Sequence, residues 1–124
     1  MKLLLDTHAA LWFLGGDDRL GEDARRQLTD DTNRVLLSAA VVWEIAVKRA
    51  LGKLTVPDEY LTLLLDAGVQ PLPVNLAHAA GAEQLPPHHR DPFDRMLVSQ
   101  ARIEGAALVS CDEALRPYGV ALVW

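Results

Sequence analysis

Short apolar runs alternate along the chain with longer segments that are rich in helix-forming residues. The apolar runs predict buried β-strands over residues 2–5, 34–38, 69–74, 107–111 and 119–123. Pro71 and Pro73 interrupt the third run, and because proline cannot donate to a strand ladder, we expect this run at a sheet edge. Strands that alternate with helices indicate an α/β fold with a mainly parallel five-stranded sheet.

Local start and stop signals place helices between these strands. The predicted helices cover residues 7–14, 21–28, 39–51, 57–67, 76–84 and 92–104, with a helical turn at 112–115. Ser38 and Asn75 are candidate N-caps, and Gly52 ends the helix over 39–51. Asp91 followed by Pro92 is the best-specified start, because an N-cap acid and a proline at the first helical position both favour it.

The helix predicted over 39–51 is apolar on more than one side. A helical wheel places one stripe against the sheet, formed by Ala40, Trp43, Val47, Ala50, Leu51 and Leu54. We therefore expect Trp43 in the core and Glu44 at the border of the stripe. The opposite side carries more apolar surface than a solvated helix needs, which predicts a contact with another protein. The residues expected in that contact are Trp12, Phe13, Val41, Val42 and Ile45.

Length and composition set broad limits. With 124 residues, 50% of them hydrophobic and 23% charged, we expect one folded domain over residues 1–124. The single cysteine, Cys111, excludes a disulfide or a cysteine-based zinc site within one chain. Asp6 ends the first apolar run too early for a signal peptide, and no run approaches the ~20 residues that span a bilayer. These features predict a cytoplasmic protein without a membrane segment.

The charge balance restricts the kind of nucleic-acid contact. Twelve lysines and arginines against 17 acids give a net charge of −5, which argues against a basic surface that coats nucleic acid. An enzyme that acts on nucleic acid is not excluded, because metal-dependent nucleases concentrate carboxylates at their sites. The positions of the acids therefore matter more than their number.

Four acids are expected at the edge formed by the carboxyl ends of the predicted strands: Asp6, Glu44, Asp94 and Asp112. Asp6 and Asp112 follow predicted strands, and Asp94 lies in the first turn of a helix that starts from the same edge. Glu44 lies about 7 Å into its helix, although its side chain leans back toward the helix start. Carboxylates packed together need a counter-charge, and oxygen ligands suit Mg²⁺ or Mn²⁺. Such ions can activate water beside a phosphodiester.

Each acid also has a structural interpretation. Asp94 is explained as the acid of a capping box that Asp91 begins. Asp112 can cap the turn after its strand, and Glu44 can pair with Lys48 one turn on, which is worth roughly 0.2–0.5 kcal/mol. Four acids together favour a functional site.

Four pieces of the sequence carry a resemblance to a known family. They are Leu-Leu-Leu-Asp6-Thr7-His8, Ser38-Ala-Ala-Val-Val-Trp43-Glu44-Ile, His89-Arg-Asp91-Pro-Phe-Asp94-Arg, and Val109-Ser-Cys-Asp112 followed by Tyr118-Gly119-Val120. In order and spacing, over essentially the whole chain, this set resembles the PIN-domain ribonucleases of the VapC-like toxin group.

The resemblance implies a PIN-like three-layer α/β/α sandwich and a metal-dependent endoribonuclease that is the toxin of a toxin-antitoxin pair. It implies Mg²⁺ or Mn²⁺ as the cofactor, an RNA substrate, a small antitoxin that blocks the site, and a homodimer. The catalytic and metal-binding acids carried over are Asp6, Glu44, Asp94 and Asp112. The family commonly has Thr or Ser before or near the last acid, and here Ser110 and Cys111 precede Asp112.

Other polar residues near the acids have two interpretations each. Thr7 either caps its helix or bonds to the Asp6 carboxylate or a metal-bound water. Arg95, with Arg90 and Lys48, is a candidate for holding the RNA backbone, against the alternative of solvated surface charge. No third spaced histidine or cysteine supports a zinc site, so polar surface positions are assigned to His8, His88 and His89.

Two rival functions differ in sequence features. A receiver-like phosphoacceptor domain needs an acid pair after the first strand and a lysine after the last, but Asp6 is followed by Thr7 and the last strand runs into Trp124. A catalytically silent PIN-like module that only binds a partner would differ by the loss of an acid. All four acids are present.

Overall fold

The computed structural model describes all residues from 1 to 124 and contains five β-strands, six α-helices and one 3₁₀ helix. The strands are β1 (Lys2–Leu5), β2 (Arg34–Ser38), β3 (Gln70–Leu72), β4 (Ala107–Val109) and β5 (Leu122–Val123). The helices are α1 (Thr7–Gly15), α2 (Glu22–Leu28), α3 (Ala39–Ala50), α4 (Tyr60–Asp66), α5 (Leu76–Glu83) and α6 (Pro92–Glu104), with the 3₁₀ helix at Glu113–Tyr118. None of these helices combines the length and the apolar character needed to cross a membrane.

The five strands form one sheet in the order β3-β2-β1-β4-β5, and every neighbouring pair is parallel. The predicted α/β fold is confirmed, and the parallel pairing extends to both edges. Leu4 of the central strand β1 is in register with Leu36 of β2 and Leu108 of β4. The proline-containing β3 lies at an edge as expected, because an edge strand has only one hydrogen-bonded neighbour.

Both faces of β1 are covered. Leu3, Leu4 and Leu5 are each 0% exposed, and successive side chains of a strand point to opposite faces. Helices must therefore pack on both faces, which gives the three layers of the predicted sandwich. The buried side chains form one hydrophobic cluster of 26 residues that reaches from Leu3 to Tyr118. This cluster fixes the carboxyl ends of the strands relative to one another.

Two predicted caps are confirmed. Several predicted element boundaries differ from the structure: β3 and β4 each end two residues earlier, and the largest differences are at α4 and at the 3₁₀ helix before β5. The Ser38 hydroxyl accepts the Ala40 N–H at 3.0 Å, and Asn75 forms a capping box at the start of α5. The predicted start of α4 at Pro57 is wrong, because the Tyr60 N–H donates to the Pro57 carbonyl at 3.1 Å and closes a turn before the helix begins. The 3₁₀ helix continues past residue 115 to residue 118, which shortens β5.

The predicted orientation of α3 is wrong. Trp43 is 64% exposed, whereas Val41 and Ile45 are buried in the core. The side that faces inward is the one that also carries Glu44. On the outer side, the Trp43 ring packs edge-on against Phe93, with ring centroids 5.1 Å apart. The exposed surface around this pair, here named the Trp43 patch, comprises Ala39, Trp43, Val74, Phe93 and Met96.

Gly21 lies directly against Trp124. A Cβ atom at Gly21 would stand 2.4 Å from the backbone carbonyl carbon of Trp124 and 2.6 Å from its ring. We expect Gly21→Ala to displace Trp124 and to lower the free energy of unfolding by about 1–3 kcal/mol, measured by urea denaturation. Gly15→Ala is the control, because a Cβ atom there meets nothing within 4 Å. Equal stability of Gly21→Ala and the wild type would contradict this account of the contact.

Candidate active site

The central strands bring two of the predicted acids to one edge of the sheet. Leu5 of β1 is in register with Val109 of β4, and the Asp6 N–H donates to the Val109 carbonyl at 3.1 Å. Strand pairing therefore continues to Asp6, which is buried, while Asp112 lies half-buried beyond the end of β4. Ser110 lies between the two, because its hydroxyl is near the Asp6 carboxylate and accepts the Asp112 N–H at 3.1 Å.

The Asp6 carboxylate also begins α1. Its Oδ1 accepts the Ala9 N–H at 2.8 Å, so Asp6 is the N-cap of this helix. Burial raises the pKa of Asp6, although the hydrogen bonds from Ser110 and Ala9 favour the charged form. The nearby charge of Glu44 adds to the rise. Asp6 therefore carries its charge where solvation is poor and another carboxylate is close.

Glu44 reaches the same edge from the second turn of α3. Its buried carboxylate has two partners: the Thr7 hydroxyl donates to Oε1 at 2.6 Å, and Lys48 Nζ lies 2.5 Å from Oε2. The predicted pair with Lys48 is therefore present, and this pairing raises the pKa of Lys48. The cap role considered for Thr7 is wrong, because Asp6 holds the cap and frees the Thr7 hydroxyl to bind Glu44.

Asp94 projects from the first turn of α6 and is not part of a capping box. The Asp91 carboxylate accepts the N–H groups of Phe93 and Asp94 at 2.8 and 3.4 Å, which confirms Asp91 as the N-cap. The N–H of Asp91 itself donates to His89 Nδ1 at 3.1 Å. In a capping box the Asp91 N–H would donate to the Asp94 carboxylate, but it donates to His89 instead. The capping-box role considered for Asp94 is therefore wrong, and its carboxylate can face the other acids.

The pKa of Asp94 shows how closely the acids are packed. Burial raises this pKa to about 7, and the negative charges of Asp91, Asp6 and Glu44 contribute to the rise, while His89 opposes it. A carboxyl group shifted this far marks a place where negative charge is concentrated with few cationic partners. Asp6, Glu44 and Asp94 therefore share one electrostatic environment.

His89 is the residue at the site that the sequence interpretation missed. Its Nε2 lies 3.0 Å from Asp112 Oδ2 and 3.3 Å from Asp94 Oδ2, and the three side chains offer atoms within 4.8 Å of one another. The available signal was its position two residues before the N-cap Asp91, at the same helix start as Asp94. Asp112 also accepts the Ala114 N–H at 3.0 Å, so its predicted capping role is confirmed alongside its place at the site.

Arg95 is engaged by the loop that carries His89. Its guanidinium donates to the Tyr118 hydroxyl and to backbone carbonyls of Ala82, Leu85, Pro86 and His89. These contacts favour a structural role, since they tie the loop before α6 to the helix and to the 3₁₀ helix. Of the other cations considered for RNA, Arg90 is exposed and Lys48 is paired with Glu44.

The edge of the sheet thus combines several carboxylates with one paired ammonium group. Carboxylate oxygens are hard ligands, so this donor set fits Mg²⁺ or Mn²⁺ better than a soft metal. A cation there would offset the charge that burial and crowding make costly. The donor set is therefore chemically suited to a divalent cation.

Comparison with known proteins identifies the family. Residues 3–120 match the model of the PIN domain family, and the chain therefore belongs to that family. A segment of 70 residues is 41% identical to ribonuclease VapC16 of Mycobacterium tuberculosis. The match covers 50% of this chain and 50% of VapC16, so it spans about half the length of that relative.

Solved structures give the same fold. VapBC2 from Rickettsia felis, bound to a DNA fragment from its promoter, matches with a TM-score of 0.71 and 14% identity over 98% of this chain and 97% of that chain. DNA-bound VapBC from Salmonella typhimurium matches with a TM-score of 0.68 and 19% identity over 98% of this chain and 96% of that chain. The receiver-like interpretation has no support among these matches.

The raised pKa of Asp94 predicts that this carboxylate destabilises the metal-free protein. The unfolded chain loses the proton near pH 4, whereas the folded chain keeps it up to about pH 7. Stability therefore falls as the pH rises from about 4 to about 7, and the loss is complete above that range. We expect the free energy of unfolding of Asp94→Asn to exceed that of the wild type by about 1–2 kcal/mol at about pH 8 in EDTA. The difference stays this small because solvent screens part of the repulsion between the carboxylates.

Urea denaturation of the two proteins at matched pH tests this prediction. The difference should shrink toward zero at about pH 3, where both the folded and the unfolded wild type are protonated at Asp94. A wild type as stable as Asp94→Asn at about pH 8 would contradict the prediction.

Proposed function

We propose that this chain is a metal-dependent endoribonuclease and the toxin of a toxin-antitoxin pair. The observation that carries the proposal is the convergence of acids at the carboxyl edge of the sheet in a member of the PIN domain family. The ribonuclease VapC16 and the VapBC complexes among the matched proteins support it. The alternative is a catalytically silent PIN-like module, which would share the fold and a partner but would not cleave RNA.

A divalent cation, Mg²⁺ or Mn²⁺, is the cofactor in this proposal. The residues that would hold it are Asp6, Glu44, Asp94 and Asp112. When bound, such an ion supplies Lewis acidity, which activates water and offsets negative charge on phosphate oxygens. The acids themselves bring the charge that draws the cation into a partly buried edge.

Neighbouring side chains fix the direction of these carboxylates. Ser110 lies beside Asp6, whose Oδ1 accepts the Ala9 N–H. Thr7 donates to one oxygen of Glu44 while Lys48 pairs with the other. A carboxylate that already has such partners is held in a defined orientation, which lowers the cost of ordering it when a ligand binds. The chain therefore orders its acids before any ligand arrives.

We further propose a small antitoxin protein as a partner and a homodimer as the assembly. The solved structures that this chain resembles include VapBC complexes. The acid-rich edge suits a basic side chain of the antitoxin, which would replace the charge of the metal. The contact residues expected from the sequence are at least partly buried against the core: Trp12, Phe13, Val41, Val42 and Ile45. The exposed Trp43 patch is therefore the surface we propose for a second copy.

Cleavage of single-stranded or loop RNA should require Mg²⁺ or Mn²⁺, because the acids need a counter-charge before a phosphate can approach them. End-labelled RNA oligonucleotides resolved on a gel measure this directly. EDTA should abolish cleavage, and added metal should restore it. Full cleavage by a verified metal-free preparation would contradict the metal requirement. No cleavage of any RNA with either ion would favour the silent module.

Matched variants in the same assay assign the acids. Asp6→Asn and Asp94→Asn should each lower the cleavage rate by about 100-fold or more while the fold is kept. Asp91→Asn is the control, because asparagine caps a helix about as well as aspartate. Equal rates for the wild type and Asp94→Asn at saturating metal would remove Asp94 from the reaction.

Trp43→Glu should convert the proposed homodimer into a monomer, since it places a charge within the Trp43 patch. Sedimentation velocity measures the assembly state. Leu51→Glu is the control, because Leu51, the C-cap of α3, is 62% exposed and lies outside the patch. A monomeric wild type at high micromolar concentration would contradict the dimer. A Trp43→Glu variant that is still a dimer would contradict the assignment of the Trp43 patch as the dimer interface.

A further inference from the structure

His89 lies where three elements of the fold meet the acidic edge. It belongs to the loop between α5 and α6, and its side chain is 18% exposed. The ring nitrogen Nε2 faces Asp94 at the start of α6 and Asp112 at the end of β4. None of the roles proposed above for the acids accounts for an imidazole between them.

Contacts on the other side of the residue fix the orientation of the ring. The backbone N–H of His89 donates to the Tyr118 hydroxyl at 2.8 Å. The N–H of Asp91 donates to Nδ1 of the ring at 3.1 Å. Main chain and ring are therefore both held, and Nε2 can point only toward the two carboxylates.

The bond from Asp91 also determines which ring nitrogen carries the proton. A neutral imidazole has one N–H group and one lone pair. Because Nδ1 accepts the Asp91 N–H, its lone pair is in use and the proton lies on Nε2. The Nε2–H group therefore donates to Asp112 Oδ2 at 3.0 Å, and Asp94 Oδ2 lies 3.3 Å from the same nitrogen.

We infer that His89 is a positioning residue, whose Nε2–H group holds the carboxylates of Asp94 and Asp112 side by side for cation binding. This inference rests on the proposed function, because it takes these two acids as cation ligands. Two carboxylates repel each other, so an N–H group that bonds to Asp112 and lies against Asp94 offsets part of that repulsion and keeps the two side chains adjacent. The neighbouring His88 has no such contact; its exposed ring packs against Tyr118.

Direct ligation of the cation by His89 is the competing arrangement. It requires the lone pair on Nε2, so the proton would have to move to Nδ1 and face the Asp91 N–H. That change replaces a hydrogen bond with two opposed donors. The observed contacts therefore favour the donor role over the ligand role.

Binding of Mn²⁺ without RNA tests the inference. Free Mn²⁺ is measured by electron paramagnetic resonance during titration of the wild type, His89→Ala, His89→Gln and His88→Ala. We expect His89→Ala to weaken Mn²⁺ binding by about 10-fold, in the range found for residues that orient ligands. His89→Gln, whose amide N–H can reach the same carboxylates, should recover most of the loss. His88→Ala should bind as the wild type does.

A second measurement separates the donor role from ligation. Electron spin-echo modulation of the Mn²⁺-bound wild type should show no directly coordinated nitrogen. Strong nitrogen coupling that disappears in His89→Gln would overturn the inference and make His89 a ligand. Unchanged Mn²⁺ affinity in His89→Ala would overturn it as well. If His89→Ala does not fold by circular dichroism, the comparison of the wild type with His89→Gln and the wild-type nitrogen signal decide the question.

Mn²⁺ binding and RNA cleavage together distinguish failure of the positioning role of His89 from failure of the proposed nuclease function. A protein that binds Mn²⁺ in a His89-dependent way but cleaves no RNA would refute the nuclease proposal and leave the positioning role in place. A protein that binds no Mn²⁺ would refute both. A protein that cleaves RNA with metal while His89→Ala binds Mn²⁺ normally would refute the positioning role alone.

Discussion

Crowding of carboxylates at the end of a hydrophobic sheet is the constraint on which the rest of this structure depends. The core holds β1 and β4 so firmly that Asp6 and Asp112 have no freedom to move apart. Asp94 and Glu44 come to the same place from two helices, and burial makes the charge of Asp94 costly. Each acid is kept in place by a donor from another element, so the site is a junction of several segments.

The same constraint accounts for the side of α3 that faces inward. Both sides of this helix are apolar enough to pack against a sheet, so hydrophobic patterning alone does not select one. Burying Val41 and Ile45 also brings Glu44 to Thr7 at the start of α1. The consequence is an exposed tryptophan, Trp43, on the outside. The position of one acid thus decides the composition of a surface on the opposite side of the helix.

Sequence patterns predicted the parts of the molecule that local rules govern. The strands of the sheet and the caps at Ser38, Asn75 and Asp91 follow from apolar runs and from side chains that bond to their own helix start. Trp43 and His89 depend instead on long-range contacts. The exposure of Trp43 depends on a contact between α3 and α1, and the place of His89 depends on β4 lying beside α6. No local pattern shows the exposure of Trp43, and the position of His89 near Asp91 indicates only that it lies close to the start of α6.

The Asp6 N–H bond to the Val109 carbonyl has a consequence for the timing of assembly. Asp6 is synthesised well before the strand that completes its surroundings, β4, because β2, β3 and all six α-helices lie between them in the chain. A central strand whose neighbour comes this late gives a high contact order, and closing so long a loop delays folding. A chain still attached to the ribosome before residue 112 has been added lacks one of its four acids. The proposed nuclease site therefore forms only after Asp112 has been synthesised, later than Asp6, Glu44 and the first four helices of the fold.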